Sequence, residues 1–373
     1  MPVHLGELPW LTVLLYSCLI CHGVFVAYFH LRILWFQQKP LESTVSSLPL
    51  SVLIAARNEA DNLTKLIPLL MAQNYPCFEV IVVDHQSTDE TKRVLQRFQQ
   101  QYSNVRVVEF QKNNQLRPGK KLPLTLAIKA ASYDHFVCTD ADCRPASEDW
   151  LRHMAQGFHA NYDIVLGYGP YSRRKGFLNR LIRFDTAIIA INYFGFALTR
   201  LPFMGVGRNL AYSRKAFDEV NGFSSHEDVA SGDDDLFIQE VAKRGNYTVQ
   251  FHPDSFCYSE PHLEWWRWRM QKARHYSTST KYQVIKKSLL GIYPLTLWCM
   301  TISFILLCLT NSAGWIEVTV FASLLGVKWL VQGLALSRLK ESKLAWCFPF
   351  WDYVYALVIP LLYLSTRNVK TTW

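Results

Sequence analysis

Four stretches of the chain carry almost no charge. Residues 8–31 and 288–316 contain no Asp, Glu, Lys or Arg, 318–337 contains only Lys328, and 344–366 only Asp352. Each is long enough to cross a hydrocarbon core as a helix, which takes roughly 20 apolar residues. The first exceeds a signal-peptide core and lacks a charged leader, so it reads as a retained anchor. Basic residues set the direction. Only His4 precedes the first span, whereas Arg32 and Lys39 follow it. Lys281, Lys286 and Lys287 precede the second span, and Arg338, Lys340 and Lys343 join the third to the fourth. The pattern predicts an integral membrane protein with an outside N-terminus and a cytosolic central domain (at the inner membrane in a bacterium). Arg367 and Lys370 at the tail run against that count.

The segment between the first two spans has a different rhythm. Residues 51–56, 79–84, 105–108 and 135–140 are short apolar runs. Between them 59–73, 87–101 and 122–131 place apolar residues at helical spacing. This alternation predicts an α/β domain, a mostly parallel sheet with helices on both faces. Ligands of such sheets bind beyond the carboxyl ends of the strands. Arg57, Asn58 and Glu59 follow the first run, Asp84 ends the second, Asp140 ends the fourth and Asp142 follows it. Further on, 175–199 begins basic and turns apolar, but its uncharged part is too short to span; it predicts an interfacial helix lying on the membrane. Residues 265–275 interleave three tryptophans with arginines, which suits the membrane interface, and place Gln271 and Arg274 on one helical face. The expected organisation is a span in 1–35, an α/β domain over 48–260, an amphipathic segment at 261–287 and three spans in 288–373.

Composition sharpens this only in part. The chain is 50% apolar and 18% charged with a mean hydropathy of +0.03, which excludes a disordered chain, a purely soluble protein and a small disulfide scaffold. Residues 32–287 hold 33 of the 39 Lys and Arg against 26 of the 30 Asp and Glu. That excess suits an anionic nucleotide and a lipid surface, and no nucleic-acid partner is expected. Nine cysteines are scattered without zinc spacing, and no disulfides are expected.

The candidate chemistry is acidic. There is no GxxxxGK[ST] and no GxGxxG, so neither phosphate-cradling loop is available. Asp140-Ala-Asp142 instead places two carboxylates two residues apart at a strand end, a spacing that can hold Mg2+ or Mn2+. The plain alternative is a turn with capping aspartates. Ser231-Gly-Asp-Asp-Asp-Leu236 is a second cluster. Crowded carboxylates raise one pKa, which suits a general base, whereas a helix N-terminus also favours acids. Arg274 suits a diphosphate leaving group.

Taken together and in order, these segments resemble membrane-bound family 2 glycosyltransferases, among them ceramide glucosyltransferase-like and polysaccharide synthase-like enzymes. The resemblance covers almost the whole chain. Ile54–Ala60 is similar to the family's nucleotide-binding segment, and Val82-Val-Asp84 with Ser87-Thr-Asp89 to its VDDGSTD, His85 and Gln86 standing for Asp-Gly. Asp140-Ala-Asp142 resembles the DxD motif, and Gly205–Ala211 the segment beside acceptor and donor sugar. Asp233-Asp-Asp-Leu236 matches the place of the TED motif with Gly232 for its glutamate, and Gln271–His275 resembles QxxRW with histidine for tryptophan. The resemblance implies a GT-A fold and metal-assisted, inverting transfer from a nucleotide-diphosphate sugar, a UDP-sugar being the expected donor. Ala55, Arg57, Glu59, Asp84, Lys120, Asp140, Gln271 and Arg274 would bind the donor; Lys121 is the alternative to Lys120. Asp142 with Asp140 would hold the metal. Gly207, Arg208 and Asn209 would face the acceptor and sugar. Alignment on Leu236 makes Asp233 the base, with Asp234 its open alternative. The acceptor would be a hydroxyl of a lipid or lipid-linked molecule. The rival readings are a processive polysaccharide synthase, a silent membrane scaffold and a transporter; the scarcity of charge in the spans disfavours the last.

Overall fold

A computed structural model describes residues 9–38, 40–41, 48–110, 119–229 and 231–366. His4, Lys39, Arg367 and Lys370 lie outside the described residues. The chain divides into two compact units, one from Met1–Phe36 and Gln283–Leu357, the other from Gln37–Tyr282 and Val358–Trp373.

The second unit is built on a seven-stranded sheet. Its strands are β1 (Leu50–Ala56), β2 (Phe78–Asp84), β3 (Val105–Glu109), β4 (His135–Asp140), β6 (Ile164–Leu166), β7 (Leu210–Ser213) and β8 (Tyr247–Val249). They stand in the order β3-β2-β1-β4-β7-β6-β8, with β7 alone antiparallel to its neighbours. A two-stranded ribbon pairs β5 (Cys143–Pro145) with β9 (Cys257–Ser259). All seven β1 residues are buried, as expected of a central strand covered on both faces. Val52 and Ile54 pack with Leu63, Leu66 and Leu70 of α3 (Ala60–Met71), Leu95 of α4 (Thr91–Gln101) and Leu151 of α6 (Trp150–His159). The first helices, α1 (Pro9–Phe25) and α2 (Leu31–Trp35), belong to the other unit, whereas α5 (Lys121–Ala130) leads into β4.

Two expectations are corrected. The helix expected from residue 87 starts at Thr91, because 84–90 form a turn in which Asp84 accepts the Ser87 N–H (3.2 Å) and Asp89 that of Thr91 (3.0 Å). The interfacial helix of 175–199 is α7 (Phe177–Leu198), and its packing is that of an internal helix: 78% of its apolar window is buried within the protein, against 22–39% for the other long apolar helices. Its Asp185 forms a buried ion pair with Lys272 (2.6 Å) on α10 (Trp265–Tyr276). Around the helix a protein core and a lipid interior demand the same apolar residues. Residues 261–282 group with the sheet, and α10 exposes Trp265 and Trp266 but buries Trp268. Two short helices, α8 (Arg214–Glu219) and α9 (Asp235–Val241), complete this unit.

Among the described residues five helices are long and apolar enough to cross a membrane, α7 among them. The other four are the first helix, in which a π-helical segment (Val26–His30) joins α1 to α2, then α11 (Val284–Leu309), α12 (Trp315–Arg338) and α14 (Phe348–Thr366); short α13 (Ser342–Ala345) precedes the last. Leu11, Leu15 and Leu19 pack against Leu297, Met300, Leu307 and Phe321. Arg338 donates to the carbonyls of Leu34 (3.2 Å) and Phe36 (2.9 Å), a cation at the carboxyl end of a helix. All nine cysteines are free.

Candidate active site

The parallel register brings the predicted residues to one edge. Ala56 stands opposite Asp84, and Ala55 opposite Asp140. The loops after β1 and β2 are laced together: the Thr88 N–H donates to Asn58 Oδ1 (2.7 Å), the Asn58 N–H to Ser87 Oγ (2.8 Å) and the Glu59 N–H to Thr91 Oγ1 (2.8 Å). Asn58 and Gln86 take φ of 56° and 60°, a conformation Asn tolerates and for which Gln stands where the family resemblance has glycine. Ala55 and Asp84 are buried, Arg57 is exposed and Glu59 half-buried. Burial pushes the Glu59 carboxyl up; the Asn62 amide opposes this, and Asp142 and Asp140 add to it.

Lys120 joins the two acidic clusters. Its ammonium pairs with Asp140 and lies 3.8 Å from Asp233 Oδ2. Burial alone would raise the Asp140 carboxyl, but Lys120, with Arg208 and Arg274, brings it below the usual range. Lys121, the alternative to Lys120, is turned away: its buried ammonium donates to the carbonyls of His226 and Val229 (2.9 Å), tying down the loop ahead of the second acidic cluster.

The three adjacent aspartates have different surroundings. Asp234 accepts the N–H groups of Gly207 (2.9 Å) and Asp235 (2.8 Å). Asp235 accepts the hydroxyls of Thr278 and Tyr282 (2.7 Å) and the N–H of Leu236 (2.7 Å). Asp233 accepts no hydrogen bond among the described residues, and its ion-pair partner there is the Lys120 ammonium. Burial, then Asp233 and Asp235, raise the Asp234 carboxyl to about 7. Gly232 takes φ of +105°, which disfavours the glutamate of the family motif, and a Cβ there would lie 2.8 Å from Leu236. A Cβ on Gly207 would lie 3.2 Å from Asp233 Oδ2 and 3.5 Å from Lys120 Nζ. The cleft therefore narrows onto a glycine.

Tyr171, which carried no sequence signal, connects two expected residues. Its hydroxyl accepts from Gln271 Nε2 (2.7 Å), and the Arg208 guanidinium lies 4.5 Å over its ring while donating to the Gly169 carbonyl (2.8 Å). Asn209, expected beside the acceptor, is fully buried and serves the frame: it accepts from Trp150 Nε1 (3.0 Å) and donates to the carbonyls of Tyr168 and Ser255 (2.8 Å each).

Asp140, Asp142 and Cys143 bring donor atoms within 4.8 Å of one another. Burial and the charge of Asp140 raise the Asp142 carboxyl, a cost that a bound cation removes. Carboxylate oxygens suit Mg2+ or Mn2+, so these residues fit such an ion.

Known proteins share this build. Residues 51–220 match the family model "Glycosyl transferase family 2". A poly-beta-1,6-N-acetyl-D-glucosamine synthase of Staphylococcus epidermidis is 22% identical over 222 residues, 56% of this chain and 49% of that protein. A beta-monoglucosyldiacylglycerol synthase of Synechocystis is 28% identical over 207 residues, 53% of this chain and 41% of that one. The matches span about half the length of these curated relatives. A mannosyltransferase from Pyrobaculum calidifontis, solved in complex with GDP-Man and Mn2+, has the same fold, with a TM-score of 0.56 at 18% identity over 94% of this chain and 99% of that one. The fold is thus GT-A, and residues 51–220 are a glycosyl transferase family 2 domain.

Proposed function

We propose that the protein transfers a sugar, with inversion, from a nucleotide-diphosphate sugar to a hydroxyl of a lipid or lipid-linked acceptor. The observation that carries this is the cleft in which Lys120 meets both Asp140 and Asp233 beside Gly207. Asp84 and Arg57 hold the nucleoside beside Ala55 and Glu59. Lys120, Arg274 and Gln271 face the diphosphate. Asp233 takes the acceptor hydroxyl proton; the freed oxygen bonds to the anomeric carbon as the bond from that carbon to the diphosphate oxygen breaks. The diphosphate leaves with the electron pair, stabilised by the cations around it. Asp140 and Asp142 are the residues that would hold Mg2+ or Mn2+, which when bound neutralises diphosphate charge.

Asp233 is favoured over Asp234 because both Asp234 oxygens already accept backbone N–H groups. The lipid acceptor is supported by the apolar helices, by exposed Phe177, Leu263, Trp265 and Trp266 near Arg267, and by the glycolipid synthase among the relatives. Basic residues flanking the spans support a cytosolic site. The name of the Staphylococcus relative favours a second reading, a polymer-forming synthase. Nucleotide sugars offered with membrane lipids, followed by mass spectrometry, test both: one added sugar on a lipid supports the proposal, and a ladder of products supports the polymer. Chelation should stop turnover and Mn2+ or Mg2+ restore it; full activity after chelation removes the metal from the scheme.

A further inference from the structure

A second cluster of ligating groups lies outside the cleft. His153 on α6 and His252 in the turn after β8 stack with ring centroids 4.4 Å apart and planes 17° apart. Asp254, two residues on, has a carboxylate oxygen 3.6 Å from His252 Nδ1. Donor atoms of His153, His252 and Asp254 all lie within 4.8 Å of one another. His153 is buried. Half-buried His252 and exposed Asp254 leave the other side open to water.

We propose that His153, His252 and Asp254 form a binding site for a divalent transition cation of the zinc class, the His252 ring turning out of its stack so that both imidazoles face the ion, with solvent completing the coordination. Two imidazole nitrogens and a carboxylate suit Zn2+ and poorly suit Mg2+ or Ca2+, which take oxygen ligands. The site is chemically distinct from the all-carboxylate pair Asp140 and Asp142. Its two halves also frame the cleft. α6 carries Trp150, which donates to Asn209 Oδ1, and the turn carries the Ser255 carbonyl, which accepts from Asn209 Nδ2. Ser147 Oγ donates to the Asp254 carbonyl (3.0 Å), and the turn runs into β9, which pairs with the strand that follows Asp142. A cation bridging helix and turn braces the frame that sets Asn209 and, next to it, Arg208.

The test is calorimetric titration of the full chain in detergent with Zn2+ alone. Excess Mg2+ is present throughout, and exposed Cys21, Cys308 and Cys347 are alkylated beforehand. His252→Asn removes the imidazole but keeps a residue able to cap the turn, and Asp254→Asn removes only the charge. We expect one Zn2+ per chain, bound at least about tenfold more weakly in either variant, a loss no smaller than that of an outer-sphere partner. Zn2+ should raise the Tm of the wild type and leave that of His252→Asn unchanged. Equal Zn2+ affinity in wild type and both variants overturns the proposal. So does binding lost in Asp140→Asn/Asp142→Asn and kept in His252→Asn. None of these outcomes depends on sugar transfer.

Discussion

Of the places among the described residues that set a lysine against buried aspartate, two are built to opposite ends. Among the apolar helices, Asp352 pairs with Lys328 and accepts the Tyr293 hydroxyl (3.0 and 3.1 Å to its two oxygens). The Gln332 amide donates to Tyr293 OH (2.9 Å) and meets His30 Nδ1 (2.8 Å). The π-segment, α11, α12 and α14 each contribute to this closed set. In the cleft, Lys120 serves Asp140 and Asp233 together; Asp233 accepts no hydrogen bond among the described residues, and Asp142 only the weak Cys143 thiol (3.6 Å). A buried charge whose hydrogen-bonding sites are all filled fixes structure. One left partly unfilled, at an edge that solvent reaches, has capacity for a ligand or a proton. The same residue types thus brace one region and offer chemistry in the other.

Replacing one aspartate in each region tests that contrast most severely. Asp233→Asn should cut transfer by about 10²–10⁴, the range of a general base, with donor affinity and Tm near wild type. Normal turnover in that variant removes Asp233 from the mechanism. Asp352→Asn should do the reverse. Leaving Lys328 unpaired in a dry interior costs about 3–5 kcal/mol, read as a lowered Tm, while turnover per folded molecule holds. If folded Asp352→Asn protein loses turnover as Asp233→Asn does, the two sites do not differ in kind. A smaller effect belongs to Gly207→Ala. The added methyl presses on Asp233 and Lys120, and displacements of that order cost up to about 10² in kcat. Wild-type kcat in Gly207→Ala would mean that the cleft has room to spare.

The sequence predicted the two regions unequally well. β1, β2 and β4 were legible because strands covered on both faces are unbroken apolar runs, and the polar residues at their ends announced a site. The short strands β6 and β8, three residues each, have no periodicity to read. Asp140 and Asp142 stood out as a local motif, and Lys120 as one of two adjacent lysines. The separate duties of Asp233, Asp234 and Asp235 did not, since each depends on partners far along the chain: Lys120, Gly207, Thr278 and Tyr282. Tyr171 was invisible for the same reason. In the other region the lone charges Lys328 and Asp352 were visible, but only the folded helices pair them and add Tyr293, Gln332 and His30.

Asp234 stands between the two cases, and its titration gives the smallest and finest of these effects. Both its oxygens are satisfied, yet burial and the flanking Asp233 and Asp235 raise its carboxyl to about 7. In the unfolded chain the same group titrates near about 3.9. Between those values the folded protein holds a proton that the unfolded chain releases. The stability so gained is fully present below about pH 4 and is lost as pH rises through about 7. The Tm of the wild type should therefore fall between about pH 5 and pH 8, and Asp234→Asn, which has no proton to lose, should flatten that slope. A slope unchanged in Asp234→Asn would assign the proton to another group.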